Sequence, residues 1–235
     1  MSEATTSLLD CSSDGINIIT LGDFDIQYQG QSLLTSIQRC YKLLELLRYF
    51  IVFRNRRMLP ETIIENLWPS VDCSDPKNVL RVQVYRLRKV LEEMAVISKS
   101  QQELCLNLTY SNGYYLFEVG AHCQLDTDIF EAAIRRAESV GEKEGFSIDL
   151  YEQALTLYNG QYMDGAINNE WLIPLQNRYH RLYLQTLHRL LEKMASMELY
   201  QEITEVYEKV PWKPSFPING AMFADKDDDN GFVKE

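Results

Sequence analysis

The sequence predicts an α+β winged-helix domain followed by an all-α, tetratricopeptide-like helical domain, and three observations carry that expectation. The first is the stretch from Asn78 to Met94, NVLRVQVYRLRKVLEEM. Wound as a helix of about 3.6 residues per turn, it puts Leu80, Val84, Leu87 and Leu91 on one narrow stripe. The second is LCLNLTYSNGYYLFEV, where apolar residues alternate on both sides of an Asn-Gly turn and read as a β-hairpin. The third is the change after Gly120: helical periodicity dominates, and no convincing strand appears from Leu125 onward.

The elements follow in order. The first dozen or so residues are polar. From Ile16 to Gln27 apolar residues partly alternate, with Gly22 and Gly30 as turn points, which predicts a short N-terminal antiparallel sheet. Ser36 to Arg54 is predicted helical, with Ile37, Leu43, Leu44, Leu47, Phe50 and Ile51 on its inward side. Leu59-Pro60-Glu61 opens a second helix, because proline is tolerated in a first turn and an acid there suits the helix dipole. Trp68-Pro69 ends it. The polar loop SVDCSDPK then leads into the third helix. In the hairpin Leu104, Leu106, Leu108 and Tyr110 alternate, and Tyr115, Phe117 and Val119 alternate on the return. Strands, three helices and a hairpin complete a winged-helix domain over residues 15–120.

Over residues 121–210 the periodicity predicts helices at Asp128 to Ser139, Ile148 to Tyr158, Trp171 to Met197 and Leu199 to Lys209, with Gly160 as a C-terminal stop. Aromatic and small residues at their contacts suggest stacked αα-hairpins. Residues 211–235 form a proline-rich acidic tail. Asp225 to Asp229 lacks the spacing and terminal glutamate of an EF-hand, so it reads as plain acidic chain and not as a calcium loop.

Composition narrows the function. The chain has 235 residues, enough for two ordinary domains, and its 46% hydrophobic content supports a sizeable core. Its apolar runs are broken by charge short of a bilayer span, and MSEATTSLLD lacks the basic start of a signal peptide. A soluble cytoplasmic protein with no membrane partner is expected. Five scattered cysteines without a CxxC pair argue against a disulfide framework or a zinc knuckle. A net charge of −11 looks wrong for a nucleic-acid binder until it is divided along the chain. Leu33 to Ser100 holds twelve Lys/Arg against seven Asp/Glu, whereas Ala121 to the end holds eleven against twenty. Binding answers to the local field more than to the total.

The basic face of the third helix is the main candidate site. Opposite the leucine stripe lie Asn78, Arg81, Val82, Tyr85, Arg86, Arg88 and Lys89. Arginine and lysine neutralise phosphates, and bidentate arginine reads a guanine edge. Val82 is apolar within that arc and needs a partner, either a thymine methyl or a neighbouring helix. The hairpin tip, Ser111 to Tyr114, carries no Arg or Lys; Asn112 and its neighbours offer backbone amides and polar groups to DNA, or simply turn the chain. Arg54, Arg56 and Arg57 lie together before the second helix, as a phosphate clamp or as a solvated turn. The three histidines, His122, His180 and His188, form no HExxH or HxH pattern, and GxSxG, GxxxxGK[ST] and GxGxxG are absent. No active site, metal site or cofactor is expected.

The order of these segments resembles the antibiotic-regulatory type of bacterial transcriptional activator, in which an OmpR/PhoB-like winged helix precedes a bacterial transcriptional activation domain. The resemblance rests on LPETIIENLWPS, LRVQVYRLRKVL and SNGYYLF in the first half. In the second it rests on LDTDIFEAAIRRAES, YEQALTLYNGQYMDG and EWLIPLQNRYHRLYLQTLHRLLE. It implies that the helix from Asn78 to Met94 enters the major groove of double-stranded DNA, with Arg81, Val82, Gln83, Tyr85, Arg86 and Arg88 nearest the bases. It implies too that the helical domain serves contacts between subunits, with RNA polymerase or with a regulatory partner. Tyr85 stands where related proteins often carry a small or basic residue, so the target sequence does not transfer. The helical domain gives way near Pro211, as in a truncated or divergent member or an N-terminal piece of a longer regulator. The leading expectation is a DNA-binding transcriptional activator, working as a homodimer because two half-sites raise specificity. The alternative is a protein-interaction adaptor that keeps the winged-helix fold without reading DNA.

Overall fold

The computed structural model describes residues 15–69, 75–98, 106–139, 144–166 and 169–209. The polar N-terminus, most of the loop before the third helix, the start of the hairpin at Leu104 and the acidic tail lie outside these residues. The fold is mixed α+β, with two small sheets and seven α-helices among the described residues.

Strands β1 (Ile16–Ile19), β2 (Asp25–Tyr28) and β3 (Gln31–Ser32) form an antiparallel meander. Ile16, Ile18 and Ile26 point inward and are fully buried. Gln29 and Gly30 both take positive φ, which lets two residues reverse the chain between β2 and β3. The expected helix from Ser36 begins only at Tyr41, as α1 (Tyr41–Val52). Residues 35–39 form turns instead, with the Ile37 amide donating to Leu34.

Helix α1 is buried on nearly every side, Glu45 and Arg48 included. A helix in that condition is central to its fold. Phe50 packs on Tyr115 and stacks on Phe117 at 5.9 Å. Tyr49 and Phe53 face the other way, onto Trp171 at 5.0 and 5.9 Å. Arg48 Nη1 donates to Glu45 at 2.9 Å, so the buried pair neutralises itself, and Asn169 donates to the second Glu45 oxygen.

Chain direction then depends on caps. Strand β4 (Arg57–Met58) occupies part of what the sequence suggests is only a turn. Helix α2 (Pro60–Leu67) opens on proline at its first position. Helix α3 (Pro76–Ile97) starts two residues before Asn78, because Asp75 caps it by accepting from the Asn78 amide at 3.0 Å and Pro76 suits the first turn. Leu80, Val84, Leu87 and Leu91 are all buried, joined by Val90 and Met94. Strands β5 (Leu106–Ser111) and β6 (Tyr114–Val119) pair antiparallel across Asn112-Gly113, both at positive φ, and β4 adds to the far side of β6.

The segment just after Gly120 adds a further tie between the two halves. Strand β7 (Cys123–Leu125), which the sequence pattern does not reveal, pairs parallel with β1. Helix α4 (Asp126–Ser139) begins on Asp126, whose buried carboxylate accepts from the Thr20 amide and hydroxyl at 2.6 Å and from the Leu21 amide at 2.7 Å. Thr20 and Gly22 carbonyls accept in turn from Met163 and Asp164 amides. Helix α5 (Glu144–Thr156) therefore ends before the expected point. Gly160 serves not as its stop but as a close-approach site: a β-carbon there would meet Gly22 Cα at 3.3 Å.

A short 3-10 helix (Glu170–Leu172) precedes α6 (Ile173–Ser196), and α7 (Tyr200–Lys209) closes the described chain. Glu131 and Glu138 of α4 pair with Arg178 and Arg189 of α6, so these two helices run in the same direction, with α5 packed against both. Tyr158 stacks on Tyr183 at 4.3 Å between α5 and α6. Burial pushes the Tyr179 and Tyr183 phenols up to about 12 and raises Tyr162 as well. A folded value above the ordinary 10.0 means that this stability is complete below pH 10 and is lost as pH rises toward 12. Tyrosinate absorbance followed beside far-ultraviolet circular dichroism should show these phenols ionising only as the helices unfold. Full ionisation with the helices intact would refute it. Among the described residues no helix is long and apolar enough to cross a membrane.

Candidate nucleic-acid interface

Helix α3 exposes what its buried stripe leaves over. Arg81 and Arg86 are exposed and form no ion pair among the described residues. Val82 is 43% and Tyr85 63% exposed, so neither belongs to the buried core. Asn78 is exposed in the first turn and Gln83 is half-buried at the edge of the face.

Two of the expected contact residues are already engaged. Arg88 is half-buried, and its Nε donates to the Leu108 carbonyl at 2.9 Å, tying α3 to β5. Lys89 pairs with Glu92 at 2.8 Å, and that hydrogen bond raises its pKa. Lys89 also lies 6.0 Å from the centre of the Tyr85 ring, at the outer limit of a cation–π contact.

The hairpin flanks this face. A cleft of about 300 Å³ separates it from the start of α2 and α3, lined by Leu59, Glu61, Lys77, Arg81, Tyr110, Gly113 and Tyr115. Lys77 and Glu61 close one side with a 2.5 Å exposed ion pair, which raises the lysine pKa and lowers that of the glutamate. Tyr110 belongs to the alternating apolar series, yet it is 51% exposed, because it stands at the open end of the ladder with its ring on Tyr115 at 4.7 Å. Tyr114 and Asn112 are exposed beside it. Tyr114 belongs to the hairpin tip expected to face DNA, whereas Lys77 and Tyr110 are not marked as contacts by the sequence pattern. Lys77 directly follows the helix-opening Pro76, which is the signal that could have found it.

The arginines before α2 do not extend this face as a group. Arg54 pairs with Asp128 at 2.6 Å, and with Arg56 it lines a second cleft of about 360 Å³ shared with Glu131, Tyr162, Arg178 and Tyr179. Asn55 takes a left-handed φ of 61° between them, which asparagine tolerates. Arg57 is exposed on β4.

No protein-family model matches this chain, and no curated protein matches it in sequence. Among solved structures, Mycobacterium tuberculosis EmbR in complex with a low-affinity phosphopeptide is similar, with a TM-score of 0.66 and 16% identity over 82% of this chain. The two share a fold. The present chain spans about half the length of that chain, 49%. Among the described residues no three His, Cys, Asp or Glu side chains gather as metal ligands, and Cys40 is an exposed free thiol. His180 lies 3.4 Å from the Tyr158 hydroxyl, and His188 is exposed beside Glu192 at 3.1 Å.

Proposed function

We propose that the chain is a sequence-specific DNA-binding transcriptional regulator, an activator that reads the major groove with α3. In this reading residues 15–120 act as a winged-helix domain with Asn112 at the tip of the wing. Residues 121–210 act as a helical activation-type domain that meets RNA polymerase or a second copy of the chain. The observation that carries it is the exposed strip of α3, without ion pairs among the described residues, set beside a hairpin on a helix whose opposite side is anchored in the core. The fold shared with EmbR, a transcriptional regulator, supports the same reading.

Fluorescence anisotropy with promoter-derived duplexes over a salt series tests it. Affinity should fall linearly on logarithmic axes, with a slope of about −0.9 for each phosphate neutralised. No binding at low salt sinks the proposal.

A further inference from the structure

Among the described residues, the part of the polar face of α3 that forms no ion pair is small, and its centre is apolar. Lys77 is held by Glu61, Lys89 by Glu92, and Arg88 is turned onto the Leu108 carbonyl. What remains is a strip of four residues, with Arg81 and Val82 on one turn and Tyr85 and Arg86 on the next. Helix neighbours are three and four residues apart. Arg81 therefore adjoins Tyr85, Val82 adjoins Arg86, and Val82 meets Tyr85 across the middle. At 43% and 63% exposure this pair contributes little to the core, and a merely solvated basic face has no use for it.

We infer that Val82 and Tyr85 read thymine methyl groups, with Arg81 and Arg86 hydrogen-bonding to the DNA on either side. The major groove offers donors, acceptors and one apolar group, which is the ring methyl of thymine. Valine makes no side-chain hydrogen bond, so its preference in a groove is settled by that methyl. Two unpaired guanidiniums beside the apolar pair suit a polyanion and disfavour an apolar protein surface. The inference rests on the DNA-reading function proposed above, and it names the bases: neighbouring thymines at the centre of each contacted stretch.

The test selects bound duplexes from a random pool with the full chain, then replaces the selected thymines by deoxyuridine. That change keeps every hydrogen bond and removes only the methyl. Selection should enrich adjacent thymines, and each methyl removed should weaken binding about fourfold, the worth of one buried carbon. The penalty at one thymine should shrink in Val82→Ser and that at its neighbour in Tyr85→Ser, both changes at exposed positions. Equal binding of the thymine and deoxyuridine duplexes overturns the methyl reading while leaving DNA binding in place. Failure to bind any duplex overturns both.

Discussion

Asp126→Ala should cost about 3–5 kcal/mol of unfolding free energy, because it leaves several buried donors without acceptors. The carboxylate is 2% exposed and takes four hydrogen bonds, from the Thr20 amide and hydroxyl, the Leu21 amide and the Thr127 amide. Burial pushes its pKa up, while those donors pull it down by favouring the charged form. The same carboxylate opens α4, where a negative charge also suits the helix dipole. Removing it strands two backbone amides of the segment that joins β1 to the helical half. Asp126→Asn keeps one acceptor but turns an amide group toward donors, so it should fall between wild type and alanine. Urea unfolding measures both, and a loss below about 1 kcal/mol for the alanine variant would show that the network is replaceable.

On the DNA side, the double variant Arg81→Ala/Arg86→Ala should lose about 2–6 kcal/mol of specific binding, at about 1–3 kcal/mol for each bidentate contact. Binding to unrelated duplexes should change far less, since it depends on phosphate contacts spread over the surface. Arg88→Ala offers an internal contrast. Its Nε is committed to the Leu108 carbonyl, so that variant should lower unfolding free energy more than it alters base preference. Anisotropy on specific and scrambled duplexes, run beside urea unfolding, separates the two effects. If the double variant kept wild-type discrimination, α3 would not be the reading element.

Local pattern carried much of this. The period of Leu80, Val84, Leu87 and Leu91 needs no partner to be recognised, since any helix with that spacing must bury that side. Asn112-Gly113 likewise declares its turn, because few other residue pairs accept two successive positive φ values. Gln29-Gly30 makes the same kind of turn, and only Gly30 marks it in the sequence, since glutamine is not a residue that advertises a left-handed conformation. Strands β3, β4 and β7 were missed because two or three residues carry no readable alternation, and only their neighbours make them strands.

The sequence by itself determined the buried stripe of α3, the polar and basic arc opposite it, the hairpin beside it and the helical character of the second half. All of these depend on residues a few positions apart. Tertiary structure decided which of those arginines remain available: Arg88 reaches a carbonyl twenty positions away, and Arg54 meets Asp128 seventy-four positions away. It also decided that Asp126 belongs to the strand segment at Thr20, one hundred and six positions earlier. A side chain's charge is written in the sequence, but its partner is chosen only when folding brings distant segments within hydrogen-bond reach, about 3 Å.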